Sequence, residues 1–256
     1  MLEARDLSKS YPGVTAVKRV SFRVRPGEIL GYLGPNGSGK TTTVNMIMGL
    51  VEPTLGEVLF EGKPILRDPV AFRRRVGYVP EEPNLYPFLS GREYLELVGC
   101  LRGMPAAVLR RKIDDLLWLL GLREDAEAAI ASYSKGMRQK VLISAALLHD
   151  PDLLIFDEPL SGLDVTTALV FRHLVQELAA RGKIVLYSSH VLEVVEKICS
   201  KVMVLYRGEV VADDSVDRLR DMMALRSLEE VFGQLVEQRD PLAAAAEIAA
   251  VVARRE

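Results

Sequence analysis

Residues 34–41, Gly34-Pro35-Asn36-Gly37-Ser38-Gly39-Lys40-Thr41, fit the pattern G-x-x-x-x-G-K-[ST]. An apolar run, Ile-Leu-Gly-Tyr-Leu at 29–33, precedes them, and residues 42–50, beginning at Thr42, can form a helix. Strand, loop and helix together confine the chain to an α/β fold of the P-loop type. The glycines permit positive φ and let backbone N–H groups converge on phosphate oxygens, while the helix N-terminus adds partial positive charge. Lys40 is expected to reach the β and γ phosphates, Thr41 to offer its hydroxyl to Mg²⁺, and Thr42 to adjoin the phosphates from the first helical turn. The expected ligand is a nucleoside triphosphate with Mg²⁺. The bland alternative is a tight glycine-rich turn with a solvated lysine.

A second acidic site is expected where a buried strand ends. Leu153-Leu154-Ile155-Phe156 runs directly into Asp157-Glu158-Pro159. Asp157 would hold Mg²⁺ through its hydration shell, and Glu158 would orient the attacking water and accept its proton. The alternative for the pair is capping of the following helix.

Around these motifs the pattern changes along the chain. Val20, Phe22 and Val24 alternate with polar residues, Pro26-Gly27 turns the chain into 29–33, and a short strand is expected near 56–62 and another at 76–79. An antiparallel β subdomain therefore opens the protein. From Ser90, with Glu93 three residues on as a capping-box partner, the chain is mostly helical to about 149, and Leu109, Ile113, Leu116, Leu117 and Leu120 keep helical spacing. The short apolar runs at 153–156 and 184–187, separated by a helical stretch at about 166–181, indicate a parallel sheet buried on both faces. A hairpin is expected about Arg207-Gly208. Ser227 with Glu230, and Asp240-Pro241, mark helix starts in a C-terminal extension whose Leu242, Ile248, Val251 and Val252 are free to pack on the rest of the chain, a twin or another partner, or to fray. The expected domains are 1–213, with a helical insert at about 82–149, and a helical extension at 214–256.

Composition narrows the partners. Lys and Arg total 33 against 35 Asp and Glu, a net charge of −2, so there is no bulk electrostatic reason to expect nucleic acid. No run approaches the ~20 apolar residues needed to span a bilayer, and Met1-Leu2-Glu3-Ala4-Arg5-Asp6 lacks the apolar core of a signal peptide. Cys100 and Cys199 lack metal or disulfide spacing, fit a reducing cytosol, and read as small core hydrophobes.

Further segments carry a resemblance. Tyr133-Ser134-Lys135-Gly136-Met137-Arg138-Gln139-Lys140 resembles the signature motif of the ATP-binding cassette (ABC) ATPases. Ser161-Gly162-Leu163-Asp164 is similar to their D-loop, Ser188-Ser189-His190 to their switch-histidine segment, and Tyr11 stands where that family places an aromatic that stacks on adenine. The resemblance covers 2 to about 211 in family order. It implies a RecA-like P-loop core, ATP and Mg²⁺, and a head-to-tail dimer of this chain or a related cassette. In that dimer Ser134 and Gly136 of one subunit face the γ-phosphate held by the other. It also implies that His190 contacts the γ-phosphate and holds the water and Glu158 in register. Read alone, Ser134 is an ordinary helix cap, Tyr11 a loop aromatic covering core, and His190 a structural histidine.

Two departures stand out. Val79-Pro80-Glu81 places an acid where the family's Q-loop carries Gln, so Glu81 is either a contact to Mg²⁺ or its water, or a solvated loop residue. The signature has Lys135 where many members have Gly. Cassettes with these two features resemble export-type subunits paired with separate membrane proteins. Pro83-Asn84-Leu85-Tyr86-Pro87-Phe88 is then expected to receive a permease's coupling helix, the alternative being a locally packed loop. The chain would sit in the cytoplasm, peripheral on the cytoplasmic face of the membrane. A cassette acting on a ribosome or nucleic-acid complex is the alternative, although such proteins usually carry two fused cassettes or a long coiled coil.

Overall fold

The structure is a computed structural model that describes residues 1–189, 191–223 and 227–236. In chain order its elements are β1 (Leu2–Tyr11), β2 (Val14–Val24), β3 (Ile29–Leu33), α1 (Lys40–Ile47), β4 (Leu55–Phe60), β5 (Lys63–Pro64), α2 (Pro69–Arg73), β6 (Val76–Val79), α3 (Gly91–Leu101), α4 (Ala106–Leu119) and α5 (Lys135–Leu147). There follow β7 (Leu153–Asp157), α6 (Val165–Ala180), β8 (Ile184–Ser188), α7 (Leu192–Ile198), β9 (Lys201–Tyr206), β10 (Glu209–Asp214), α8 (Val216–Met223) and α9 (Leu228–Val236).

Two sheets form. Four antiparallel strands stand in the order β2-β1-β4-β5, and six in the order β10-β9-β3-β8-β7-β6, parallel except for β10. The parallel strands are buried on both faces, and alternation along each strand divides the core. Leu30, Tyr32, Leu153, Ile155 and Leu186 face α1 and the antiparallel sheet; Ile29, Leu33, Leu154, Phe156 and Tyr187 face the helices α5, α6 and α7. Each such side chain contributes roughly 1.5–3 kcal/mol by leaving water. A third core, built on Leu95, Leu109, Ile113, Leu117 and Val141, closes the helical insert. The Ser90 side chain accepts from Glu93 N while the Glu93 carboxylate accepts from Ser90 N, a complete capping box that starts α3.

Pro26-Gly27 turns the chain into β3, as expected; β2 pairs with β1, and β3 lies in the other sheet. The strand at 2–11 is not among those read from the sequence. β1 escapes the period-two pattern because Asp6 adopts positive φ (48°) at a register shift, and because Glu3 is buried. That carboxylate accepts from Arg5 at 2.9 Å and Arg23 at 2.7 Å, and the two guanidiniums, Arg5 foremost, hold it down at about 2.

Cys199 lies in the core, where burial pushes its thiol up, but Cys100 is exposed on α3 and so is not the core residue expected. Val216 and Leu219 of α8 and Leu228 of α9 are buried in the same core as α6 and α7, and Arg220 pairs with Glu196 of α7 at 2.5 Å. The Ser227 hydroxyl accepts from Glu230 N at the start of α9, whereas Asp240-Pro241, Leu242, Ile248, Val251 and Val252 lie outside the described residues. Among the described residues no helix is long and apolar enough to cross a membrane.

Candidate nucleotide site

β3 delivers the loop 34–39 from the centre of the parallel sheet, and α1 begins at Lys40. The helix has no side-chain cap and no acid in its first turn, so its opening N–H groups are left for a ligand. Gly39, the residue before it, has φ 103°, and a Cβ there would stand 2.5 Å from the Ala16 carbonyl; neither the conformation nor the space admits a side chain. The loop is fastened from behind. Ser38 N donates to Pro35 O at 3.1 Å, Gly208 N donates to Ser38 O at 2.9 Å, and Lys18 N donates to Gly208 O at 2.8 Å. The β9–β10 turn thereby ties loop and antiparallel sheet together.

A cavity of about 700 Å³ opens in front of this loop. Gly34, Pro35, Asn36, Gly37, Gly39, Lys40, Thr41 and Thr42 line it, together with Glu81, Asp157 and Glu158. The three carboxylates come from the ends of β6 and β7, adjacent strands, beside the central β3 and β8. This is the C-terminal edge of the parallel sheet, where ligands of such sheets bind. Lys40 Nζ donates to Gly34 O at 2.5 Å and Pro35 O at 3.2 Å. Burial lowers the Lys40 ammonium from its ordinary value, while Asp157, Glu158 and Glu81 pull it back up.

The two adjacent acids are held by two adjacent serines. Asp157 and Ser188 are register partners across β7 and β8, and the Ser188 hydroxyl donates to Asp157 Oδ1 at 2.7 Å within the core. The Ser189 hydroxyl donates to Glu158 Oε2 at 3.3 Å. Glu158 has φ 47°, a left-handed conformation unusual for a non-glycine residue, and its N–H donates to Ser188 O at 3.1 Å. Such a conformation persists only where surrounding contacts impose it, and it is concentrated at functional sites.

Several expected residues stand elsewhere. Ser38 is buried beneath the loop rather than on the cavity wall. Tyr11 is 45% exposed at the end of β1, carries Lys9 over its ring at 5.4 Å, and does not line the cavity. Ser134 caps α5 by accepting from Met137 N at 3.2 Å; neither it nor Gly136 lines the cavity of its own chain. Asp164 caps α6, accepting from Thr167 N at 2.8 Å and Thr167 Oγ1 at 2.6 Å, bonds that lower its carboxyl from the ordinary range. His190 lies outside the described residues. His149, which matches no motif, donates Nε2–H to Val76 O at 3.1 Å, and His173 is exposed.

The cavity also has walls that sequence reasoning did not supply: Ala16, Ser189, Leu192 and Phe232. Ser189 adjoins the switch-histidine position and was within reach of the motif. Phe232 belongs to α9, 191 positions along the chain from Thr41, and no sequence spacing signals its approach.

Comparison with known proteins agrees with this geometry. The family described as ABC transporter matches residues 17–161. The chain is 37% identical over 237 residues to the ABC transporter ATP-binding protein NatA of Bacillus subtilis, covering 91% of this chain and 96% of that protein. It is 37% identical over 255 residues to the Nod factor export ATP-binding protein I of Paraburkholderia xenovorans, covering 100% of this chain and 82% of that one. Among solved structures, the ATP-binding subunit of an ABC transporter superposes with a TM-score of 0.87 at 35% identity, covering 92% and 99% of the two chains. A dimeric ATP-binding cassette in a post-hydrolysis state, bound to ADP and Pi, superposes with a TM-score of 0.78 at 27% identity, covering 84% and 98%. With its phosphate loop and paired acids on one cavity, the chain belongs to the ABC transporter family as an ATP-binding subunit that hydrolyses ATP.

Proposed function

We propose that this subunit binds ATP with Mg²⁺ in the cavity, dimerises on it, and drives export through a separate transmembrane permease. The observation that carries the reading is the division of the site: the phosphate loop and acids share one cavity, and Ser134 and Gly136 lie off it. In that reading Lys40 and residues 34–42 hold the phosphates, and Tyr11 takes the adenine face. A second subunit then supplies Ser134, Gly136 and Asp164 across the interface. The dimeric cassette with ADP and Pi is the relative that supports this arrangement.

Thr41, Asp157 and Glu81 offer a hydroxyl and two carboxylates on one cavity, an all-oxygen set that suits Mg²⁺. No cluster of three or more acidic, histidine or cysteine ligands occurs among the described residues, and none is needed, because Mg²⁺ is usually held by one or two carboxylates, phosphates and water. When bound, the ion neutralises negative charge on the phosphates. Glu158 takes the proton of the attacking water, Ser189 fixes its carboxylate, and Lys40 stabilises charge on the γ-phosphate. His190 keeps the water and Glu158 in register.

The export reading draws on the Nod factor export relative and on the loop at 83–88, where Tyr86 is 61% and Phe88 90% exposed although Leu85 packs inward. Exposed aromatics beside the helical insert suit an amphipathic helix from a membrane partner. In this reading the subunit sits on the cytoplasmic face of a membrane. The test is co-purification: Tyr86→Ala with Phe88→Ala should retain the fold and ATP binding but lose co-purification with the permease. Undiminished co-purification contradicts this docking surface.

A further inference from the structure

Gln139 is fully buried on α5, five residues after Ser134, and none of the chemistry above uses it. Its Nε2 donates to Pro159 O at 3.0 Å, and its Oε1 has no hydrogen-bond partner among the described residues. A buried amide is costly unless satisfied, so it is informative that the one bond it makes goes to the residue following Glu158. Pro159 is itself buried and has no N–H. Its carbonyl is the sole backbone polar group it offers, and Gln139 takes it.

The surrounding bonds show what that contact fixes. Glu158 N donates to Ser188 O at 3.1 Å on the strand side, and Ser161 N donates to Glu158 O at 3.2 Å, closing a turn. Gln139 holds the same turn from the helix side. Between these anchors Glu158 keeps its left-handed φ of 47°, which aims the carboxylate at Ser189 and the cavity. The helix and the turn also pack without slack. A Cβ on Gly136 would overlap the Gly162 carbonyl, a Cβ on Gly162 would stand 2.9 Å from Lys135 Cγ, and Lys140 Nζ stands 3.8 Å from Asp164.

We infer that Gln139 is a positioning residue for hydrolysis, holding the Glu158–Pro159 backbone so that Glu158 presents its carboxylate to the attacking water. The inference rests on the reading of Glu158 as the base. The same helix carries Ser134 at its N-terminus, so the turn that aims the base is braced on the helix that reaches the partner's nucleotide.

The experiment is a double-mutant cycle in the full chain with Gln139→Met, similar in volume but without the donor, and Glu158→Gln. Replacing a buried amide by an apolar group of like shape keeps the core filled, and Gln139→Leu serves as a second variant of the same kind. Gln139→Met should lower kcat by about tenfold or more while KM for ATP changes less than about twofold. In the Glu158→Gln background, Gln139→Met should cause no further loss, because the residue acts through Glu158. Wild-type kcat in both Gln139 variants, beside an inactive Glu158→Gln, overturns the inference and leaves the base reading intact. Losses that multiply in the double variant, or a rise in KM matching the fall in kcat, also overturn it. Undiminished hydrolysis by Glu158→Gln alone would sink the base reading instead.

Discussion

The phosphate-loop side and the signature side of this chain are built with equal care but finish differently. On the first side, β3, β6, β7 and β8 bring Lys40, Thr41, Glu81, Asp157 and Glu158 onto one cavity. On the second, Ser134 caps a helix, Gly136 is packed against Gly162, and Asp164 caps α6, yet none of the three meets that cavity. A helix N-terminus with a capping serine is an anion site in search of an anion. In the proposed reading the two are halves of one site, which a second copy, turned head to tail, would complete.

That contrast breaks most visibly at Lys40. Lys40→Ala removes an ammonium from the cavity wall, and ATP affinity should fall by about 10²-fold, roughly 3 kcal/mol, with hydrolysis lost as well. Titration with a fluorescent ATP analogue checks it. Ser134→Arg sharpens the contrast from the other side. It should leave ATP binding to the isolated subunit within about twofold while reducing hydrolysis by about 10²-fold, the scale of losing donors to a reacting phosphate. Equal losses of binding and turnover in that variant would mean that Ser134 serves its own chain's nucleotide.

The smallest effect concerns a histidine on neither side. Burial foremost, with Arg102 adding to it, lowers His149 from 6.5 to about 4 in the folded chain. As pH falls, the unfolded chain takes the proton first, so the stability tied to neutral His149 is complete above about 6.5 and is lost as pH falls towards 4. His149→Gln, which can still donate to Val76 O, should flatten that part of the thermal-unfolding profile. An unchanged slope would mean that other groups set the acid limit.

The sequence made much of the first side legible because its signals are local. The loop 34–41, the apolar run into Asp157-Glu158 and the capping box at Ser90 each occupy a few consecutive residues, and each forms as read. Legibility ended where long-range packing decides. β1 was hidden by buried Glu3 and by the positive φ of Asp6 at a register shift, and the Pro-Gly turn after β2 marks a change of direction without saying which sheet receives the next strand. Phe232 reaches the cavity through tertiary packing of α9, and Gln139 meets Pro159 across 20 positions. Neither has a spacing that a pattern could find.

The central claim, that the cavity is half of a site completed by a second copy, is tested most directly by the mass of the nucleotide-bound protein. Glu158→Gln with ATP and Mg²⁺, examined by light scattering after gel filtration, should run as a dimer holding two ATP, and adding Ser134→Arg should return it to a monomer that still binds ATP. A Glu158→Gln protein saturated with ATP yet monomeric at every concentration, or a dimer indifferent to Ser134→Arg, would contradict the account.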